Sequence, residues 1–267
     1  MSLFKSAATA VSGEAIPLAV DNLTVTFGGL TAVSEMSLKV RAGECVGLIG
    51  PNGAGKTTLV NAIAGEIRPA TGSVQLGRSD ASRLKPFQRF RAGLARTFQV
   101  AHPFPELGVL DAVMLGPLAK GMSRPDAQAA AHNALATIGR GHQAGRIMRE
   151  LNPTESKLVE LARVIASEPT VVLLDELLAG SLPRERQMII EKLAEASAQG
   201  QWATIMIEHL IPEVRSFCER VVVMDQGRLI ADGPTDQVMH DPQVLAAYLG
   251  KAMERASVVA QVVAGDE

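Results

Sequence analysis

The hydrophobic pattern changes character twice along the chain. Apolar or alternating runs at Leu18 to Phe27, Ala32 to Val40, Cys45 to Ile49 and Ser73 to Leu76 are separated by turn residues. They predict an N-terminal β-rich layer around the strand Cys45 to Ile49. Between about Asp111 and Ser167 the period becomes helical. Ala127, Ala131, Ala134 and Ile138 recur at three- and four-residue steps, as do Leu158, Leu161, Ala162 and Ile165. Uninterrupted apolar runs then return at Val171 to Asp175, Thr204 to Glu208 and Val221 to Asp225. Runs of this length fit central parallel strands buried on both faces. Gln226 to Ile230 predicts a turn into a short edge strand, and Gln237 to Leu249 a closing helix.

Composition narrows the class. At 267 residues and 47% hydrophobic content the chain can bury a full α/β core without covalent staples. A net charge of −2 with no long basic run lacks the footprint that nucleic-acid phosphates require, so no nucleic-acid partner is expected. Cys45 and Cys218 are expected to be buried free thiols. No apolar stretch approaches the ~18 residues of a membrane span, and the N-terminus has no charged-then-apolar export signal. The expectation is a cytoplasmic protein whose membrane contact runs through a partner. Residues 1–16 are expected to form a mobile tail.

Candidate chemistry begins at Gly50 to Thr58, GPNGAGKTT, between the strand Cys45 to Ile49 and the run Leu59 to Ile63. Gly50, Gly53 and Gly55 let backbone N–H groups turn inward around an anion, and a helix starting near Lys56 aims its positive end at the same point. Lys56 is positioned to reach β/γ-phosphates and Thr57 to offer a hydroxyl to Mg²⁺; Asn52, Ala54 and Thr58 complete the nucleotide-binding loop. Asp175 and Glu176 end the apolar strand Val171 to Asp175. A strand ending beside a phosphate loop puts Asp175 where it can hold Mg²⁺ through water and Glu176 where it can take a proton from an attacking water.

With these motifs in place, the chain resembles the ATP-binding-cassette (ABC) ATPases that drive ABC transporters, from about Leu18 to Gly250. Asn22 to Val33, Leu94 to Gln99, Asp175 to Gly180 and Val244 to Gly250 make it most similar to the subunits of branched-chain amino acid importers. The resemblance implies a P-loop NTPase fold with a RecA-like parallel-sheet core, an N-terminal antiparallel β layer and a helical subdomain at about 100–167. The cassette would span 17–250, followed by a tail at 251–267. It further implies that Phe27 stacks on adenine, that Gln99 touches Mg²⁺ and couples the site to the helical subdomain, and that His209 contacts the γ-phosphate. ATP and Mg²⁺ are the implied cofactors.

Two departures from the family pattern stand out. The signature, usually LSGGQ or LSYGQ, is here Leu151-Asn152-Pro153-Thr154-Glu155. Asn152, Pro153 at the first helical position and Glu155 predict a firm helix start. Yet Pro153 removes a backbone donor, and Thr154 is expected to crowd a place where glycine allows close approach. In the loop after Glu176, Leu182 replaces a usual Asp or Asn and can neither donate nor accept. By the resemblance, such ATPases work as head-to-tail dimers in which each phosphate loop faces the other chain's signature. The expectation is therefore an ATP-hydrolysing subunit of an importer, peripheral on the cytoplasmic side of the inner membrane. Its partners would be transmembrane permease subunits, contacted near Gln99 to Leu107, and a second ATPase subunit with an intact signature. The alternatives are an ATP-gated regulatory module with little hydrolysis and a soluble ABC ATPase of DNA repair or translation.

Overall fold

The computed structural model describes residues 16–97 and 104–248. Two sheets organise them. The smaller is antiparallel, in the order β2 (Leu30–Val40), β1 (Leu18–Phe27), β4 (Thr71–Leu76), β5 (Ser79–Asp80). The larger runs β10 (Arg228–Pro234), β9 (Arg220–Asp225), β3 (Cys45–Ile49), β8 (Ala203–Ile207), β7 (Val171–Asp175), β6 (Leu94–Arg96). Within it every neighbouring pair is parallel except β10 and β9. The strand Cys45–Ile49 therefore belongs to the centre of the parallel sheet, and the N-terminal layer forms without it.

Alternation along the strands explains the continuous apolar runs. Val171 and Leu173 of β7 pack into one core with β1, β2, β4 and α1 (Lys56–Ala64), whereas Val172 and Leu174 pack into a second core with the helices on the opposite face. Both sets are shielded from water, so all of Val171 to Leu174 call for apolar side chains. The second core receives α3 (Val109–Ala119), α4 (Arg124–Thr137) and α5 (Pro153–Ala166), which pack on one another, and α6 (Pro183–Gly200) and α7 (Ile211–Phe217). A short α2 (Pro86–Arg91) precedes β6.

Three details depart from expectation. The closing helix is split into α8 (Thr235–Val238) and a last helical segment at 242–248. Pro242 explains the split: it has no N–H and pushes the preceding Asp241 away from helical angles. Cys45 is only partly buried, and its Sγ lies 3.1 Å from that of the buried Cys218; both are free. Burial pushes the Cys45 thiol well up. Of the expected tails, 1–16 lies outside the described residues except for Ile16, and 251–267 lies wholly outside them.

Candidate active site

Sheet order brings the candidate residues together. β3, β8 and β7 are parallel neighbours, and Leu48 and Asp175 both sit in register with Ile207. The chain leaves all three strands at one edge, where ligands of parallel sheets bind. Gly50, Glu176 and His209 follow from this.

The phosphate loop runs from Gly50 into α1. Gly50 has φ +148°, and a Cβ there would lie 2.1 Å from the Met224 carbonyl oxygen of β9; at Gly55, φ +98°, it would lie 2.4 Å from the Ala32 oxygen. Any larger residue at either place would force the loop off the sheet. No side chain caps α1 and its first turn carries no acid, so the positive end of the helix is presented to the loop. Lys56 is buried and folds back, its Nζ donating to the Gly50 oxygen at 2.7 Å and the Pro51 oxygen at 3.0 Å.

The loop forms one wall of a cleft of about 810 Å³. Asn52, Gly53, Ala54, Gly55, Lys56, Thr57 and Thr58 line it together with Phe27, Glu176 and His209. Phe27 is 50% exposed, so it is a rim side chain and not a strand-end core residue. An exposed ring at a polar cleft is a ready stacking surface.

Glu176 stands at φ +49°, a left-handed conformation uncommon for a side-chain-bearing residue, held by its N–H donating to the Ile207 oxygen at 3.0 Å. Its Oε1 is 3.0 Å from His209 Nε2. Beneath this pair lies Glu208, 3% exposed, which accepts the Leu178 N–H at 2.8 Å. Burial, with the nearby Glu176 charge adding to it, raises the Glu208 carboxyl to about 7. Asp175, also buried, is gripped by β6: Arg96 Nη2 meets its Oδ2 at 2.6 Å, and its N–H donates to Thr97 Oγ1 at 3.2 Å. Gln99 lies outside the described residues.

The family model for ABC transporters matches residues 33–179, more than half of the chain and the whole stretch from the phosphate loop to Glu176. The chain belongs to the ABC transporter ATPase family. A second model, for branched-chain amino acid ATP-binding cassette transporters, matches residues 228–254. LivG of Salmonella typhimurium, a high-affinity branched-chain amino acid transport ATP-binding protein, is 34% identical over 250 residues, spanning 88% of this chain and 98% of LivG. BraF of Pseudomonas aeruginosa, of the same description, is 32% identical over 251 residues with the same coverage. Among solved structures, the ADP conformation of MJ1267, an ATP-binding cassette of an ABC transporter, superposes with a TM-score of 0.80 at 29% identity. That match covers 89% of this chain and 100% of MJ1267. This ABC chain therefore binds ATP and is an ATPase.

The signature of this ABC ATPase opens α5. Asn152 Oδ1 accepts the Glu155 N–H at 2.9 Å and Glu155 Oε2 accepts the Asn152 N–H at 3.0 Å, a reciprocal capping box with Pro153 at the first helical position. That Asn152 N–H holds the Glu155 carboxyl below the usual range. Asn152 and Pro153 are exposed. Thr154 does not crowd this surface: it is turned inward, 8% exposed, and hydrogen-bonds Glu185 at the start of α6. Leu182, in contrast, is 67% exposed, while Leu177 and Leu178 are buried. Lys157 of α5 binds the Ala179 oxygen and, at 2.7 Å, Ser181 Oγ, which ties the signature helix to the loop bearing Leu182.

Three residues of the site carried no role in the sequence. Arg96 was visible only as a letter in LARTFQ, and Glu208 only as the end of a strand. Tyr248 was visible in the ending VLAAYLG; it hydrogen-bonds the Gly50 backbone, and burial raises its phenol. Their partners come from distant segments, so nothing local marks them.

A second opening, about 380 Å³, lies between α2 and the helices of the second core, with Phe87, Phe90, Phe104, Leu115 and Val164 along it. Phe87 is 56% exposed, and Arg163 stacks over the Phe104 ring at 5.5 Å. Among the described residues no helix is long and apolar enough to cross a membrane.

Proposed function

We propose that this chain powers an importer of branched-chain amino acids or related small molecules, lying peripherally on the cytoplasmic side of the membrane. It would dock on transmembrane permease subunits and pair with a second ATPase subunit. The observation that carries the catalytic part is the Glu176 to His209 pair at the lip of the phosphate-loop cleft. The near-complete overlap with LivG and BraF supports the choice of solute class. The apolar opening flanked by Phe87 and Phe104 supports a docking place for a permease segment.

In this reading ATP enters with adenine against Phe27 and its phosphates along Gly50 to Thr58. Lys56 exchanges the Gly50 and Pro51 carbonyls for phosphate oxygens. The groups that would hold Mg²⁺ are the Thr57 hydroxyl, which lines the cleft, and, through water, the Asp175 carboxylate at the end of β7. A hydroxyl and a carboxylate are the hard donors Mg²⁺ takes, together with water and phosphate. Held there, the metal would supply charge neutralisation for the nucleotide's terminal phosphates. Gln99 is proposed as a further contact. Glu176 accepts the proton of the attacking water, and His209 orients Glu176 and faces the γ-phosphate. Closure on ATP and reopening after hydrolysis would move the helices around the docking opening.

The second-subunit proposal rests on asymmetry within one chain. Its ATP-side residues are complete, while Pro153 and Leu182 deplete the surface it would offer to a partner's γ-phosphate and water. The same two residues favour a second reading, an ATP-gated module with little hydrolysis.

Replacing Glu176 by Gln, which keeps size but not basicity, is expected to remove at least 100-fold of turnover while ATP binding stays within about twofold. Lys56→Ala in the same assays is expected to lose binding. Turnover retained in Glu176→Gln would remove the base assignment.

A further inference from the structure

We infer that Arg96 is a positioning residue that fixes the Asp175 carboxylate for its metal. This rests on the reading of Asp175 as a Mg²⁺ ligand through water and adds to it the residue that holds the ligand in place.

Arg96 ends β6, the outermost parallel strand, beside β7. Its guanidinium spans three elements. Nη2 binds Asp175 Oδ2 at 2.6 Å, and Nη1 binds Asn61 Oδ1 of α1 at 2.8 Å and Glu66 Oε1 just beyond α1 at 2.9 Å. The Arg96 and Asp175 side chains are only 10% and 6% exposed. A pair so far from water is screened little, and its planar fork fixes direction as well as distance.

One fork therefore ties the carboxylate to the body of the helix whose first turn carries Thr57. The Thr97 hydroxyl, accepting the Asp175 N–H, clamps the backbone of the same residue from the position that follows Arg96. With Oδ2 spent on Arg96, the carboxylate keeps one orientation and leaves Oδ1 for a water on the cation. The two protein oxygens proposed for the metal are thus joined through α1, Arg96 and Asp175. Lysine cannot reproduce this, because a point ammonium lacks the fork that reaches two groups at fixed angles.

The test is metal binding, not turnover: Mn²⁺ titration followed by electron paramagnetic resonance, at saturating ATP, with metal-free ATP affinity measured by calorimetry. Arg96→Gln is expected to weaken Mn²⁺ at least fivefold and to change metal-free ATP affinity less than twofold, with Arg96→Lys intermediate. Asp175→Asn is the control. If Asp175→Asn weakens Mn²⁺ and Arg96→Gln does not, the positioning role is overturned and the ligand reading stands. If Asp175→Asn itself leaves Mn²⁺ unchanged, the ligand reading falls and the inference with it. Should Arg96→Gln fail to fold, Arg96→Lys decides: at least threefold weaker Mn²⁺ supports the role, and unchanged affinity overturns it.

Discussion

At the scale of residues, the cleft combines groups whose roles were local in the sequence with groups whose roles depend on the fold. Gly50, Lys56 and Thr57 were legible because strand, loop and helix are contiguous there. Glu208 was not, because its character comes from burial. A carboxyl raised to about 7 binds a proton in the folded chain at pH values where the unfolded chain, at its ordinary 4.5, has released it. Its contribution therefore makes stability fall as pH rises from about 4.5 to about 7, by on the order of 3 kcal/mol. Glu208→Gln keeps an oxygen for the Leu178 N–H and removes the titration. Urea denaturation across that range should show wild type losing stability relative to Glu208→Gln as pH rises. Parallel profiles would mean that Glu208 is ionised throughout.

At the scale of elements, periodicity identified the three buried strands β7, β8 and β9 and the helices of the second core because both cores impose strict burial on them. It misplaced β3 in the N-terminal layer, since an apolar run does not state which strands it pairs with. It also joined α8 to the last helical segment, where Pro242 outweighs the apolar spacing. The signature helix shows local and functional demands pulling apart. Asn152, Pro153 and Glu155 give α5 a strong start and, in the proposed reading, at the same time change the surface that would meet a partner's phosphate. Asn152→Ala is expected to lower stability by about 1 kcal/mol through loss of the cap on the Glu155 N–H, measured by urea denaturation. An unchanged midpoint would show that Pro153 and the Glu155 side chain hold the helix start without it.

At the scale of the molecule, the order of the parallel sheet is what makes a site. β6 beside β7 gives Arg96 to Asp175, β8 beside β7 gives His209 to Glu176, and β9 beside β3 walls in Gly50. None of these neighbours is adjacent in sequence, which is why the clamp on Asp175 was illegible while the phosphate loop was plain. The exposed Leu182 and Pro153 lie outside this cleft, on surface that a partner cassette would meet. In the proposed reading the molecule supplies the ATP side of a site and a depleted donor side. The direct test is a mixing experiment with two forms of this chain: wild type, and a copy combining Glu176→Gln with Asn152→Ser and Pro153→Gly. The copy lacks the base but regains a signature hydroxyl and the missing backbone N–H. ATP turnover of each form alone is predicted to be low and that of the mixture at least tenfold higher, because only the mixture unites an intact base with a restored donor. Wild type alone turning over ATP as fast as the mixture would contradict the account.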